Sequence, residues 1–165
     1  MHVTNHRQAS AAIMAGVLAM AALTVSPRAH AAEHVMHLVT DGERGRFEFE
    51  PPLLLVAPGD SVRFVPDDHM HGVKSVAGMI PDGVAPWRGR MGDELVVTLK
   101  QPGVYGVKCP AGYKVGMVGL IVVGDHPPNW DLARAVRHPP EPSQSFDGLF
   151  DAAACELAHQ SGCAF

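Results

Sequence analysis

Cys109 and Met117 lie eight positions apart in the run Tyr105 to Met117, and an isolated His-Met-His, His69 to His71, stands about forty residues upstream. A thiolate, a thioether and an imidazole make a donor set suited to copper. Soft sulfur ligands select that metal, and two imidazoles and a thiolate in one plane, under a long axial thioether, form a single-electron transfer site. Here that set is nearly complete.

The other two cysteines frame the reading of Cys109. Residues 1–31 read as an export signal: Arg7 supplies the positive start, Ala11 to Val25 the apolar stretch and Ala29-His30-Ala31 the small-x-small cleavage pattern. The apolar stretch is too short for an ordinary span, and no later segment reaches the ~18 uninterrupted apolar residues that would indicate one. In an oxidising compartment Cys155 and Cys163 are the natural disulfide pair, which leaves Cys109 as the odd thiol, either inert and buried or protected as a metal ligand, and its neighbours favour the ligand reading. Cys155, His159 and Cys163 could also be read as a small metal cluster, but two thiols and one imidazole do not fill a tetrahedral structural site.

The elements that must position these donors are short strands. Val35–Val39, Arg46–Glu50, Leu53–Ala57, Ser61–Val65, Glu94–Leu99, Val104–Lys108 and Val118–Val123 are β-rich runs. Asp41-Gly42, Pro58-Gly59-Asp60, Pro102-Gly103 and Gly124-Asp125 separate them with turn chemistry. Seven or so such strands predict a sandwich or barrel. Residues 65–94 read as a long loop with a helical turn, and Met79 and Met91 within it as core filling. After Gly124 the composition changes: Asn129–Val136 predicts a short helix, and Phe146–Leu157 a second one whose apolar face must pack on the sandwich.

The chain has 13 bases and 17 acids, a formal charge of -4. Loss of Arg7 and Arg28 with the signal leaves 11 bases, an acidic balance that argues against nucleic acid as partner. The expected organisation is therefore a signal over 1–31, one β domain over 32–125 and a helical extension over 126–165.

Residues 35 to about 158 resemble the pseudoazurins, periplasmic cupredoxins of the type 1 copper class. The resemblance rests on Phe47-Glu-Phe-Glu-Pro51, Pro58-Gly59-Asp60, Phe64-Val-Pro66, His71-Gly-Val-Lys-Ser75, Met79-Ile-Pro81, Gln101-Pro102-Gly103, Val107-Lys-Cys109, Gly116-Met117 and Val123-Gly124-Asp125. It implies a mainly β fold, an eight-stranded Greek-key sandwich with two C-terminal α-helices. It also implies one copper ion shuttling single electrons to or from a periplasmic redox enzyme or cytochrome, in a monomer that is no enzyme itself.

Carried over position by position, the resemblance makes His71, Cys109 and Met117 the copper ligands. The family's second histidine stands three residues after the cysteine, where this chain has Gly112, and the asparagine that follows the first histidine is here Gly72. Three readings of Gly112 stand open: an external water or small anion completes the site, His69 substitutes from the same face of its extended segment, or the site is degenerate. The resemblance also places Lys74, Arg88, Arg90, Lys108 and Lys114 around the copper end, a basic ring complementary to an acidic partner. The competing functions are a copper chaperone or sensor, for which an open site is an asset, and a redox-inactive relative kept for protein contacts.

Overall fold

The computed structural model describes residues 31–160. Residues 1–30, which carry most of the export-signal reading, and Cys163, half of the expected disulfide, lie outside the described residues.

Eight strands form two four-stranded sheets. The first holds β1 (Glu33–Asp41), β2 (Arg46–Glu50), β4 (Ser61–Pro66) and β6 (Leu95–Thr98) in the order β2-β1-β4-β6. The second holds β3 (Leu53–Val56), β5 (Lys74–Ser75), β7 (Gly103–Lys108) and β8 (Val118–Val123) in the order β3-β8-β7-β5. The pairs β1·β4 and β3·β8 are parallel and the other neighbours antiparallel, so the chain crosses between sheets as a Greek-key sandwich must. The expected mainly β sandwich with two C-terminal helices is what the chain forms.

Burial explains why β8 is apolar throughout. Alternate residues of a strand face opposite sides. Ile121 and Val123 join Met36, Leu38, Phe49, Phe64 and Tyr105 between the sheets, whereas Val118, Leu120 and Val122 join Phe146, Phe150 and Ala153 on the outside. Helices cover that outer face: α1 (Trp130–Arg134) and α2 (Pro140–Gln160). Each fully buried Leu, Ile, Val or Phe contributes about 1.5–3 kcal/mol relative to exposure, so the outer layer is a second core in its own right.

Two expectations change. The second helix begins at Pro140 rather than near Phe146, because Pro140 and Pro142 fall in a first turn whose N–H groups have no partner inside the helix. The stretch between Pro66 and Leu95 is mostly loop and holds a hydrogen-bonded turn, Met79 N donating to Val76 O at 3.1 Å. Val76 N also donates to Gly106 O at 2.8 Å and Gly106 N to Met79 O at 2.7 Å, so this turn is tied across to β7. Met79 is buried in the outer core as expected, but Met91 is 40% exposed, its sulfur lying over Gly72 rather than inside.

Candidate metal centre

Three loops meet at one end of the sandwich. The first follows β4 and carries Asp67 to His71; the second joins β7 to β8 and carries Cys109 to Met117; the third joins β1 to β2, whose adjoining ends bring Thr40 and Phe47 alongside. His71 Nδ1 stands 3.7 Å from Cys109 Sγ. His71, Cys109 and Met117 are all essentially inaccessible to solvent.

The loop holding both sulfurs is closed by its own backbone. Cys109 N donates to Met117 O at 3.2 Å and Met117 N to Gly112 O at 3.0 Å, with a 3-10 turn over Tyr113–Val115 between them. Gly112 is where this closure is tightest. A Cβ there would sit 2.7 Å from Met117 Cβ and 2.8 Å from its Sδ. The position accepts a side chain only if Met117 moves, so the glycine and the placement of Met117 are one feature.

The orientation of the imidazole is fixed from its other side. Thr40 Oγ1 donates its single hydroxyl proton to Asp68 Oδ2 at 3.0 Å, so toward His71 Nε2, 2.9 Å away, it can only accept. Nε2 therefore carries the proton and Nδ1 presents a lone pair to the Cys109 side. Asp68 in turn receives Met70 N at 2.7 Å and His71 N at 3.2 Å on Oδ1. Burial pulls the Asp68 carboxyl upward, but those hydrogen bonds, that of Thr40 and the nearby His71 outweigh it and hold it below the usual carboxylate range. Asp67 and Asp68 lie 3.9 and 3.7 Å from Nε2, the outer edge of the ring. A carboxylate behind a histidine is the arrangement that fixes the tautomer of a metal ligand and raises its basicity.

His69 takes no part in this arrangement. It is exposed and packs on the Gly92 turn, its Nδ1 3.0 Å from where a Cβ of Gly92 would stand, and nothing joins it to Cys109. At Gly72 a Cβ would meet Met91 Sδ at 2.8 Å, so a side chain there would require Met91 to shift. Beside Gly112 there is an apolar cavity of about 320 Å³, lined by Phe47, Met70, His71, Ala111, Gly112 and Val115.

The basic residues divide. Lys74 and Lys108 are cross-strand partners, Lys74 bridges to Arg88, and all three line a cleft with Pro110 and Tyr113. Burial, then the neighbouring Lys74, lowers the Lys108 ammonium below its usual range, and its Nζ lies 4.1 Å from the Tyr113 ring centroid. Arg90 faces Asp93 at 3.5 Å instead, and Lys114 lies in the middle of the 3-10 turn. Helix α2 reaches the same loop: Tyr113 Oη and His138 Nδ1 share a hydrogen bond at 2.8 Å, and His138 packs on Phe146. Cys155 lies exposed on α2 with its thiol 3.6 Å from His159 Nδ1.

Thr40, Asp68 and Phe47 escaped the sequence reading. Asp68 had a signal, an acidic pair just before the histidine; Thr40 lies 31 residues upstream and had none.

A buried thiol, thioether and oriented imidazole at the end of a Greek-key sandwich define a cupredoxin centre, and the donor set fits copper. The chain matches the copper binding proteins of the plastocyanin/azurin family over residues 36–124, and it belongs to that family. Among its members it is similar to pseudoazurin of Paracoccus pantotrophus, 37% identical over 129 residues that cover 78% of this chain and 89% of the relative. Pseudoazurin of Methylorubrum extorquens is 40% identical over 140 residues, 85% of this chain and 94% of the relative. The crystal structure of pseudoazurin from Methylobacterium extorquens AM1 superposes with a TM-score of 0.71 at 38% identity, covering 73% of this chain and 98% of that one. The protein is thus a type 1 copper protein with one copper ion as cofactor, an electron carrier and not an enzyme. No described helix is long and apolar enough to cross a membrane.

Proposed function

We propose that this protein is a periplasmic, monomeric electron carrier whose copper is held by His71 Nδ1, Cys109 Sγ and Met117 Sδ. The observation that carries the ligand assignment is the 3.7 Å approach of Nδ1 to Sγ in a buried setting, with the Nε2 proton committed to Thr40. Copper, when bound, supplies a one-electron couple. The chain's own part is to exclude water, hold the imidazole lone pair inward and keep the sulfurs on a loop closed by its own hydrogen bonds. A site so constrained changes little between oxidation states, which suits a carrier.

Export fits the same reading. Cleavage after Ala31 would free the amine of Ala32, whose nitrogen lies 2.8 Å from Asp60 Oδ1. The new positive charge would meet a carboxylate already in place. Residues 32–125 then form the copper domain, residues 126–165 the extension packed on β8, and Cys155 with Cys163 its closing disulfide.

The partner is a redox enzyme or cytochrome with an acidic face, docking over Lys74, Arg88 and Lys108, with Arg90 and Lys114 at the margin. None of Lys74, Arg88 and Lys108 has an acidic partner among the described ion pairs, so their field is directed outward on an otherwise acidic protein.

Protein-film voltammetry of the copper-loaded mature chain tests the carrier role. A reversible one-electron wave that Cys109→Ser abolishes is expected. An irreversible wave with transfer of Cu(I) to a competing apo-protein would replace the carrier by a chaperone.

A further inference from the structure

We infer that the cavity over Gly112 is a binding site for a neutral, flat nitrogen heterocycle of the imidazole type, which enters from solvent and donates its lone pair to the metal in place of the missing histidine. This rests on the copper site proposed above. Three independent observations carry it.

The first is that the described residues do not supply the donor themselves. A side chain at position 112 would run into Met117 at 2.7 Å, and His69 is turned onto the Gly92 turn. The donor must come from outside.

The second is the chemistry of the walls. The cavity, about 320 Å³, is at the small end of ligand pockets, and Phe47, Met70, Ala111 and Val115 are apolar. The one polar side chain is His71, and both its nitrogens are engaged, Nε2 by Thr40 and Nδ1 on the Cys109 side. Asp67 and Asp68 stand behind that ring at 3.9 and 3.7 Å, outside the cavity lining. Arg46, 5.2 Å from the Phe47 ring centroid, is ion-paired with Asp41 at 3.0 Å, so the lining offers a small anion no charged partner and no free side-chain hydrogen-bond donor. Such a wall favours a neutral ligand with one lone pair and a large apolar face.

The third is Phe47. It sits inside β2 with φ +60°, the left-handed region that a bulky residue rarely adopts. Its ring meets His71 edge-on, centroids 6.2 Å apart, and forms one wall of the cavity. Backbone strain of this kind persists where the surroundings over-determine it, and it clusters at ligand sites. Here it turns an aromatic face to the place where a heterocycle would lie.

The test uses Cu(II)-loaded mature protein, followed by visible absorption and electron paramagnetic resonance. Imidazole, azide and the blocked peptide acetyl-Gly-His-Gly-amide are titrated in separately. Imidazole should change both spectra saturably while azide at the same concentration does not, and Phe47→Leu, which keeps apolar bulk, should raise the half-saturating imidazole concentration about three- to tenfold, as loss of an aromatic pair predicts. A peptide effect equal to that of imidazole assigns the ligand to the histidine of a partner protein; an effect of imidazole alone assigns it to a small molecule. Copper-loaded spectra that ignore imidazole, or respond equally to azide, overturn the inference and leave the copper site standing. Failure to take up copper with or without imidazole overturns both.

Discussion

His71 and Cys109, 38 residues apart in the chain, place Nδ1 and Sγ 3.7 Å apart, and Thr40 behind the ring decides that Nδ1 is the nitrogen with the free lone pair. The candidate centre is therefore built by two loops and the end of β1, and not by the Cys-to-Met run alone. The predictions below separate these contributions.

Thr40→Val keeps shape and removes the acceptor of the Nε2 proton. The unpartnered buried N–H should cost about 1–3 kcal/mol in urea unfolding of the metal-free protein. Copper affinity, measured by competition with a chelator, should fall about tenfold as the tautomer is released, and Thr40→Ser should restore it. Equal affinity in both variants would show that the hydroxyl does not orient the ring.

Gly112→Ala places a methyl 2.7 Å from Met117 Cβ. Overpacking should destabilise the metal-free protein by about 1–3 kcal/mol, and the displaced thioether should alter the Cu(II) spectrum. An unchanged spectrum with unchanged stability would mean that the loop adapts freely. Gly112→His meets the same obstacle, so it should not simply rebuild a four-ligand site.

Helix α2 should stabilise the copper loop. Gly116 has φ +90°, and a Cβ there would lie 2.8 Å from Ser145 Oγ and 3.5 Å from Glu141 O. Gly116→Ala should therefore cost more than about 1 kcal/mol, because an L side chain is strained at this left-handed φ and its Cβ also pushes the helix off the loop. A double variant with Ser145→Gly should recover part of that loss, and strict additivity would contradict the contact.

Much of the fold was legible because period and punctuation are local. Arg46 to Glu50 alternates and β8 is apolar on both faces, and each property is visible without neighbours. The two sulfurs that the structure brings together at the candidate site were legible through the spacing of Cys109 and Met117. Thr40, Asp68 and Phe47 were not, since a hydroxyl 31 residues from its imidazole and a left-handed φ inside a strand leave no periodic trace. Met91 was misjudged for a related reason: its sulfur covers Gly72, a contact that hydrophobicity alone assigns to the core.

Acid stability should report on Asp60. The hydrogen bond to His34, the Ala32 and Ala57 amides and the His34 charge outweigh burial and hold its carboxyl below the usual range. A carboxyl lowered in the folded state contributes its stability above its unfolded value, about 3.9, and loses it as pH falls through the folded one. The wild-type protein should lose unfolding free energy below about pH 4, and Asp60→Asn should be less stable at neutral pH with a flatter profile there. Parallel profiles would remove Asp60 from the account.

The central claim is that Cys109 and His71 hold copper together with Met117. The visible absorption and electron paramagnetic resonance of the mature protein with one equivalent of Cu(II) test it most directly. The account predicts intense visible absorption from a copper–thiolate bond, lost in Cys109→Ser and strongly altered in His71→Ala. Spectra of weakly bound aqueous-type copper, the same in wild type and both variants, would contradict it.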